Sequence, residues 1–95
     1  MLDVKKLLTK ILNRQYPTLT EVQIPVTVPG SASAWASAAL PSGFMAIEGY
    51  YIDSISCTMR NITVNTNNQT ISICLRNWTG SSISTQVNVQ VSIEP

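Results

Sequence analysis

The segment Ile83-Ser84-Thr85-Gln86-Val87-Asn88-Val89-Gln90-Val91-Ser92-Ile93 decides the fold class. From Val87 to Ile93 each odd position is a branched apolar residue and each even one is Asn, Gln or Ser. That period of two is the mark of a half-buried β-strand, because successive side chains on a strand point to opposite faces. Working back along the chain, Val22, Ile24, Val26 and Val28 alternate with Glu21, Gln23 and Thr27. Pro25 lies inside that run and Pro29 ends it, which predicts an edge or irregular strand, since proline has no N–H for a ladder. Gly30 to Leu40 is rich in small residues, with Trp35 its one large side chain, and reads either as a strand with a tight face or as a loop.

Beyond the turn Pro41-Ser42-Gly43, strand character returns over Phe44 to Ile52, and Ile55, Cys57 and Met59 alternate with Ser54, Ser56 and Thr58. Two strands or one bent strand would fit. Ile62 and Val64 then fall on even numbers, so a break or bulge near Arg60-Asn61 is needed to keep one face inward. Asn65-Thr66-Asn67-Asn68 predicts a turn in which Asn accepts positive φ, placing Ile62 near Ile71, and Ile71, Ile73 and Leu75 form the return strand. Gly80-Ser81-Ser82 leads into the last strand. Six to eight short strands with turn signals at roughly ten-residue spacing predict a mainly β chain, an antiparallel, jelly-roll-like β-sandwich over residues 16–95.

Residues 1–15 follow a different rule. Asp3 suits a helix N-cap, and Val4, Leu7, Leu8, Ile11 and Leu12 keep helical spacing while Lys5, Lys6 and Lys10 take the other side. So short a helix does not hold alone in water. Its stripe is expected to meet either the same stripe of other copies, as an oligomerisation stub, or the β-domain of its own chain.

Composition narrows the function. Of 95 residues 12% are charged, six Lys and Arg against five Asp and Glu, and there is no histidine. A net charge of +1 offers little to a phosphate backbone, so nucleic-acid binding is not expected. Without histidine there is no imidazole base and no Cys-His zinc finger, and two cysteines are too few for a four-cysteine site. No catalytic residue, cofactor or metal is expected. Nothing is apolar for long enough to span a membrane, and the lysines near the N-terminus break any signal-peptide core, which predicts folding in a cytosol. The patterns Asn61-Ile-Thr63, Asn68-Gln-Thr70 and Asn77-Trp-Thr79 are what chance gives in so Asn- and Thr-rich a chain.

Cys57 is read as facing inward with Ile55, and Cys74 as out of phase with Ile73 and Leu75, so a disulfide is disfavoured. Glu48 and Asp53, five residues apart on one strand, would face opposite sides about 16 Å apart, too far to act as an acid and base pair. Trp35, Tyr51 and Trp78 are candidates for stacking on a ligand, with core or interface packing the commoner use of such residues. Tyr50 and Tyr51 should face opposite ways, and Arg76 should stack on Trp78. No charge lies between Asn77 and Ile93, which suits a sheet face that meets another subunit or a carbohydrate, or one that is merely polar.

The order of Val4-Lys5-Lys6-Leu7-Leu8-Thr9-Lys10-Ile11-Leu12, then Leu40-Pro41-Ser42-Gly43-Phe44, then Leu75-Arg76-Asn77-Trp78-Thr79-Gly80-Ser81-Ser82 before a Val-rich strand resembles small tail-associated structural proteins of phages and prophages of Gram-positive hosts. The resemblance implies a virion component, a homotrimeric β-sandwich at a tail fibre or baseplate. Its helix would be the stub of a stalk and its partners other tail proteins and host cell-surface carbohydrate. It implies no site that can be matched residue by residue. A head-decoration, tail-completion or scaffolding subunit without a ligand is the alternative.

Overall fold

The computed structural model describes Val4, Lys5 and residues 17–95. Among the described residues six strands follow one another: β1 (Thr18–Val28), β2 (Ser33–Ala39), β3 (Phe44–Ile52), β4 (Cys57–Asn65), β5 (Thr70–Asn77) and β6 (Ile83–Ile93). They form two antiparallel three-stranded sheets, ordered β1-β6-β3 and β2-β5-β4. Only the β4–β5 hairpin joins neighbours within a sheet; each other connection crosses to the opposite sheet.

One core joins them. Ile24, Val26, Val28, Val87, Val89 and Val91 come from the first sheet and Cys57, Ile71, Ile73 and Leu75 from the second. The alternation that marked β6 and β1 is what puts those residues on one face. Gly30 to Leu40 resolves as a strand because its small side chains have large partners: Ala34, Ala36 and Ala38 lie across from Leu75, Ile73 and Ile71 and pack against the core. Pro25 sits on β1, whose sole ladder partner among the described residues is β6, so its missing N–H falls at the sheet edge.

The connections divide between two poles. Residues 29–32, 53–56 and 78–82 share one pole; Leu40–Gly43, the β4–β5 turn, the start of β1 and the end of β6 share the other. At the second pole Phe44 N–H donates to Pro41 O at 3.3 Å, and Gly43 takes φ 77°, the left-handed value that a type II turn demands at this place.

Several expectations need correction. The predicted helix over 1–15 falls on residues of which only Val4 and Lys5 are described; both have helical backbone, Val4 is exposed, and Leu7, Leu8, Ile11 and Leu12 lie outside the described residues. No other helix is seen among the described residues. Ile55 does not face the core: it stands in the crossing between β3 and β4 and is fully exposed. The turn after β4 is one step later than read, with Asn65 pairing Thr70, so Ile62 lies across from Ile73 and Val64 from Ile71. Its positive φ belongs to Gln69, while Asn65 Oδ1 holds the turn by accepting the N–H groups of Asn67 and Asn68. The expected irregularity at Arg60 is present between Met59 and Asn61. Cys57 and Cys74 are both buried and free.

Candidate functional site

The outer face of the β2-β5-β4 sheet is built by register. Ser33, Arg76 and Thr58 form one row across it, Trp35, Cys74 and Asn61 the next, and Ser37, Ser72 and Thr63 the one after. Cys74 points outward yet stays buried, flanked by Trp35 and Asn61. The bulge at Met59 turns Arg60 onto this face, where its guanidinium donates to Ser33 Oγ at 3.5 Å from the far side of β5. Sequence spacing gave no hint of that reach, because it depends on which strand stands between β4 and β2.

Trp78 follows β5 at the upper rim of the same face. Its indole N–H donates to Thr58 Oγ1 at 2.9 Å, its backbone N–H to Ser56 O at 3.0 Å, and the Arg76 guanidinium carbon lies 5.0 Å from its ring centroid. The expected cation–π pair is therefore present. Arg76 Nε is buried with no hydrogen-bond partner among the described residues. Trp35 and Trp78 are 63% and 67% exposed, so neither is a core residue. They are not neighbours: Trp35 pairs with Cys74, four residues before Trp78, or about 13 Å along the strand.

Tyr51 lies elsewhere, on the outer face of the β1-β6-β3 sheet. Its hydroxyl donates to Glu21 Oε2 at 3.5 Å, and the same carboxylate accepts from Gln90 at 3.1 Å and from Gln23 at 3.3 Å. Asn88 donates to Asp53 Oδ1 at 2.8 Å, and Ser92 Oγ to Glu48 Oε1 at 3.0 Å. Glu48 and Asp53 thus share a face, contrary to expectation, because β3 shifts register between Ile47 and Gly49. Their partners Ser92 and Asn88 are four residues apart, about 13 Å, so the two carboxylates still form no acid and base pair. Tyr50 faces inward across from Val89 and remains 45% exposed.

Partial desolvation, followed by the charges of Glu21 and Asp53 and the bond to Glu21, raises the Tyr51 phenol above its ordinary value. A raised folded-state value favours the neutral phenol. Its contribution is complete below about pH 10 and is lost as pH rises through the raised value. Glu21→Gln should shift the Tyr51 phenol to lower pH in an ultraviolet titration; an unmoved Tyr51 would show that Glu21 does not act on it.

Among the described residues no group of three His, Cys, Asp or Glu side chains is placed to hold a metal ion, and no helix is long and apolar enough to cross a membrane. No family model matches the chain, and neither a curated protein nor a solved structure matches it significantly. The arrangement must be read on its own chemistry. It offers two hydroxyl- and amide-rich sheet faces, one with a pair of guanidinium groups and two exposed indoles, and a pole where Trp78, Ile55 and an open pocket of about 690 Å³ lined by Asp53, Ser54, Ile55, Ile83, Ser84, Thr85 and Gln86 come together.

Proposed function

We propose that this chain is a non-enzymatic structural and attachment subunit of a phage tail. It assembles as a homotrimer, with Val4, Leu7, Leu8, Ile11 and Leu12 as its oligomerisation stripe, and its two sheets form a jelly-roll-like sandwich. A host cell-wall saccharide binds at the pole made by residues 29–32, 53–56 and 78–82.

One observation carries this reading. The polypeptide enters β1 and leaves β6 at one pole, while exposed Trp78, exposed Ile55 and the serine-rich turns gather at the other. That is the polarity of a module held at its base and touched at its tip. Trp78 suits sugar stacking because its orientation is set before any ligand arrives: Thr58 fixes the indole N–H and Arg76 covers part of the ring, with most of the side chain still open. Hydroxyls from Ser54, Ser81 and Ser82 stand on the same connections.

The test is adhesion of the whole chain to purified host cell walls. Trp78→Ala should reduce it about tenfold, the loss of one stacking contact worth about 1.4 kcal/mol. Trp35→Ala, about 13 Å down the sheet, should change it much less. Circular dichroism would confirm that both variants are folded. Unchanged adhesion in both rejects the site, and no adhesion by the unaltered chain favours the purely structural subunit.

A further inference from the structure

The charges of the strands are sorted by sheet. In the β1-β6-β3 sheet and the residue just after β3 stand Glu21, Glu48 and Asp53, with no Lys or Arg. In the β2-β5-β4 sheet stand Arg60 and Arg76, with no Asp or Glu. Both sets lie on outward faces: Glu21, Asp53 and Glu48 are bonded to Gln90, Asn88 and Ser92, Arg60 is bonded to Ser33, and Arg76 stands in the outward row between Ser33 and Thr58. The two broad sides of the domain are thus of opposite sign.

Each side also lacks the usual defence of a solvent-facing sheet. Such faces in monomers commonly carry both signs, interspersed, which discourages stacking on another copy. Here a side carries one sign alone, diluted by neutral Ser, Thr, Asn and Gln. The carboxylates are held in position rather than free to swing. Glu21 accepts from Tyr51, Gln23 and Gln90 together, so an approaching cation meets a fixed target at little entropic cost.

We infer that the Glu21, Glu48 and Asp53 side of one copy docks on the Arg60 and Arg76 side of another copy of this chain. This rests on the homo-oligomeric part of the proposed function and is independent of saccharide binding at the pole. Two different patches meet, so the contact is heterologous; because they lie on opposite broad sides it repeats head to tail from copy to copy, and a two-fold dimer does not form this way. Trp35, exposed in the row beside Arg76, supplies the apolar centre of the contact. The alternative occupant of the arginine side, an anionic polymer, would make no use of the carboxylate side.

Three strands about 4.8 Å apart and seven residues long give a footprint of about 14 by 24 Å. A standard interface covers about 800 Å² per partner, so each contact is weak by itself. Assembly should therefore depend on concentration and weaken as salt screens it.

The experiment uses two variants of the full chain, E21K/E48K and R60E/R76E, with light scattering after size exclusion. R60E alone, which keeps the Arg76 and Trp78 pair, serves if the double change fails to fold. At about 100 µM and low salt the unaltered chain should form larger species than in about 0.5 M salt, where the face contact is screened and only the apolar stripe still joins copies. Each variant alone brings like charges together and should show the high-salt species even at low salt, and an equal mixture should recover the larger ones. An unaltered chain whose size does not change with salt overturns the inference; so does a variant that by itself assembles at low salt as the unaltered chain does. The size left in high salt reads the stripe separately. Wall adhesion of Trp78→Ala reads the attachment pole separately, so the two readings can fail independently.

Discussion

Asn77→Asp is expected to lower the melting temperature by about 15 °C or more, the largest effect of any single polar change in the described residues. Asn77 is fully buried where β1, β5 and β6 converge. Its side-chain nitrogen donates to Val28 O at 3.1 Å, Pro29 O at 3.3 Å and Ser81 O at 2.8 Å, while its oxygen accepts from Thr79 N–H at 2.9 Å and Thr79 Oγ at 2.8 Å. One side chain thus ties the β1–β2 turn to the β5–β6 turn. Replacing its nitrogen by a carboxylate oxygen sets a buried charge against three carbonyl oxygens, at a cost of about 3 to 5 kcal/mol. The sign of its pH dependence is fixed as well. Burial raises the introduced carboxyl above its unfolded value near 4, so stability falls as pH rises through that window and returns in part on acidification, when the neutral acid can donate again. Thermal melts at pH 7 and near pH 4 check both statements, and an unchanged melting temperature would remove Asn77 as the tie. Burial also means that, of the three Asn-x-Thr patterns, the one at Asn77 presents no accessible amide, whereas Asn61 and Asn68 are exposed.

Gly30→Ala should destabilise by about 2 to 3 kcal/mol, because it forces apart the same two turns. A Cβ at this position would stand 2.3 Å from Gly80 O, 2.6 Å from Gly80 C and 3.0 Å from Ser81 N. All three are backbone atoms, so no side chain can swing aside to relieve the clash. The turns must separate, which strains the 2.7 Å bond from Ser31 N–H to Thr79 O and the Asn77 bonds beside it. Gly80→Ala is the control: its Cβ would meet nothing within 4 Å and should cost about 0.5 kcal/mol or less. Because Gly30 and Asn77 hold one junction, Gly30→Ala combined with Asn77→Ala should cost less than the sum of the two. Strict additivity in denaturant melts would show that they act separately.

The candidate surfaces were legible in the sequence to unequal degrees. The Arg76 and Trp78 pair could be read directly, because residues two apart on a strand share a face. The outward position of Cys74 followed from the same parity. Glu48 and Asp53 could not be placed, because the register shift after Ile47 flips every later side chain of β3 and leaves no mark in the alternation. Ile55 misled for the opposite reason: its spacing to Cys57 and Met59 fits a strand, but the chain at that point is crossing between sheets. Arg60 on Ser33 and Tyr51 on Glu21 are contacts across strands 27 and 30 residues apart, and no local pattern encodes them.

What the amino-acid order determined by itself is the strand character of the chain and which residues of β1, β5 and β6 face inward, since both follow from an unbroken period of two and from where proline and glycine interrupt it. Which strands lie side by side was decided by tertiary structure alone. A polar face looks the same in sequence whether its neighbours carry Glu or Arg, and only the order β1-β6-β3 and β2-β5-β4 gathers the carboxylates on one side and the guanidinium groups on the other. Hydrophobic alternation fixes the inward direction because burial in one core rewards each apolar side chain separately, whereas charge sorting is a property of neighbours, and neighbours exist only once the sheets have formed.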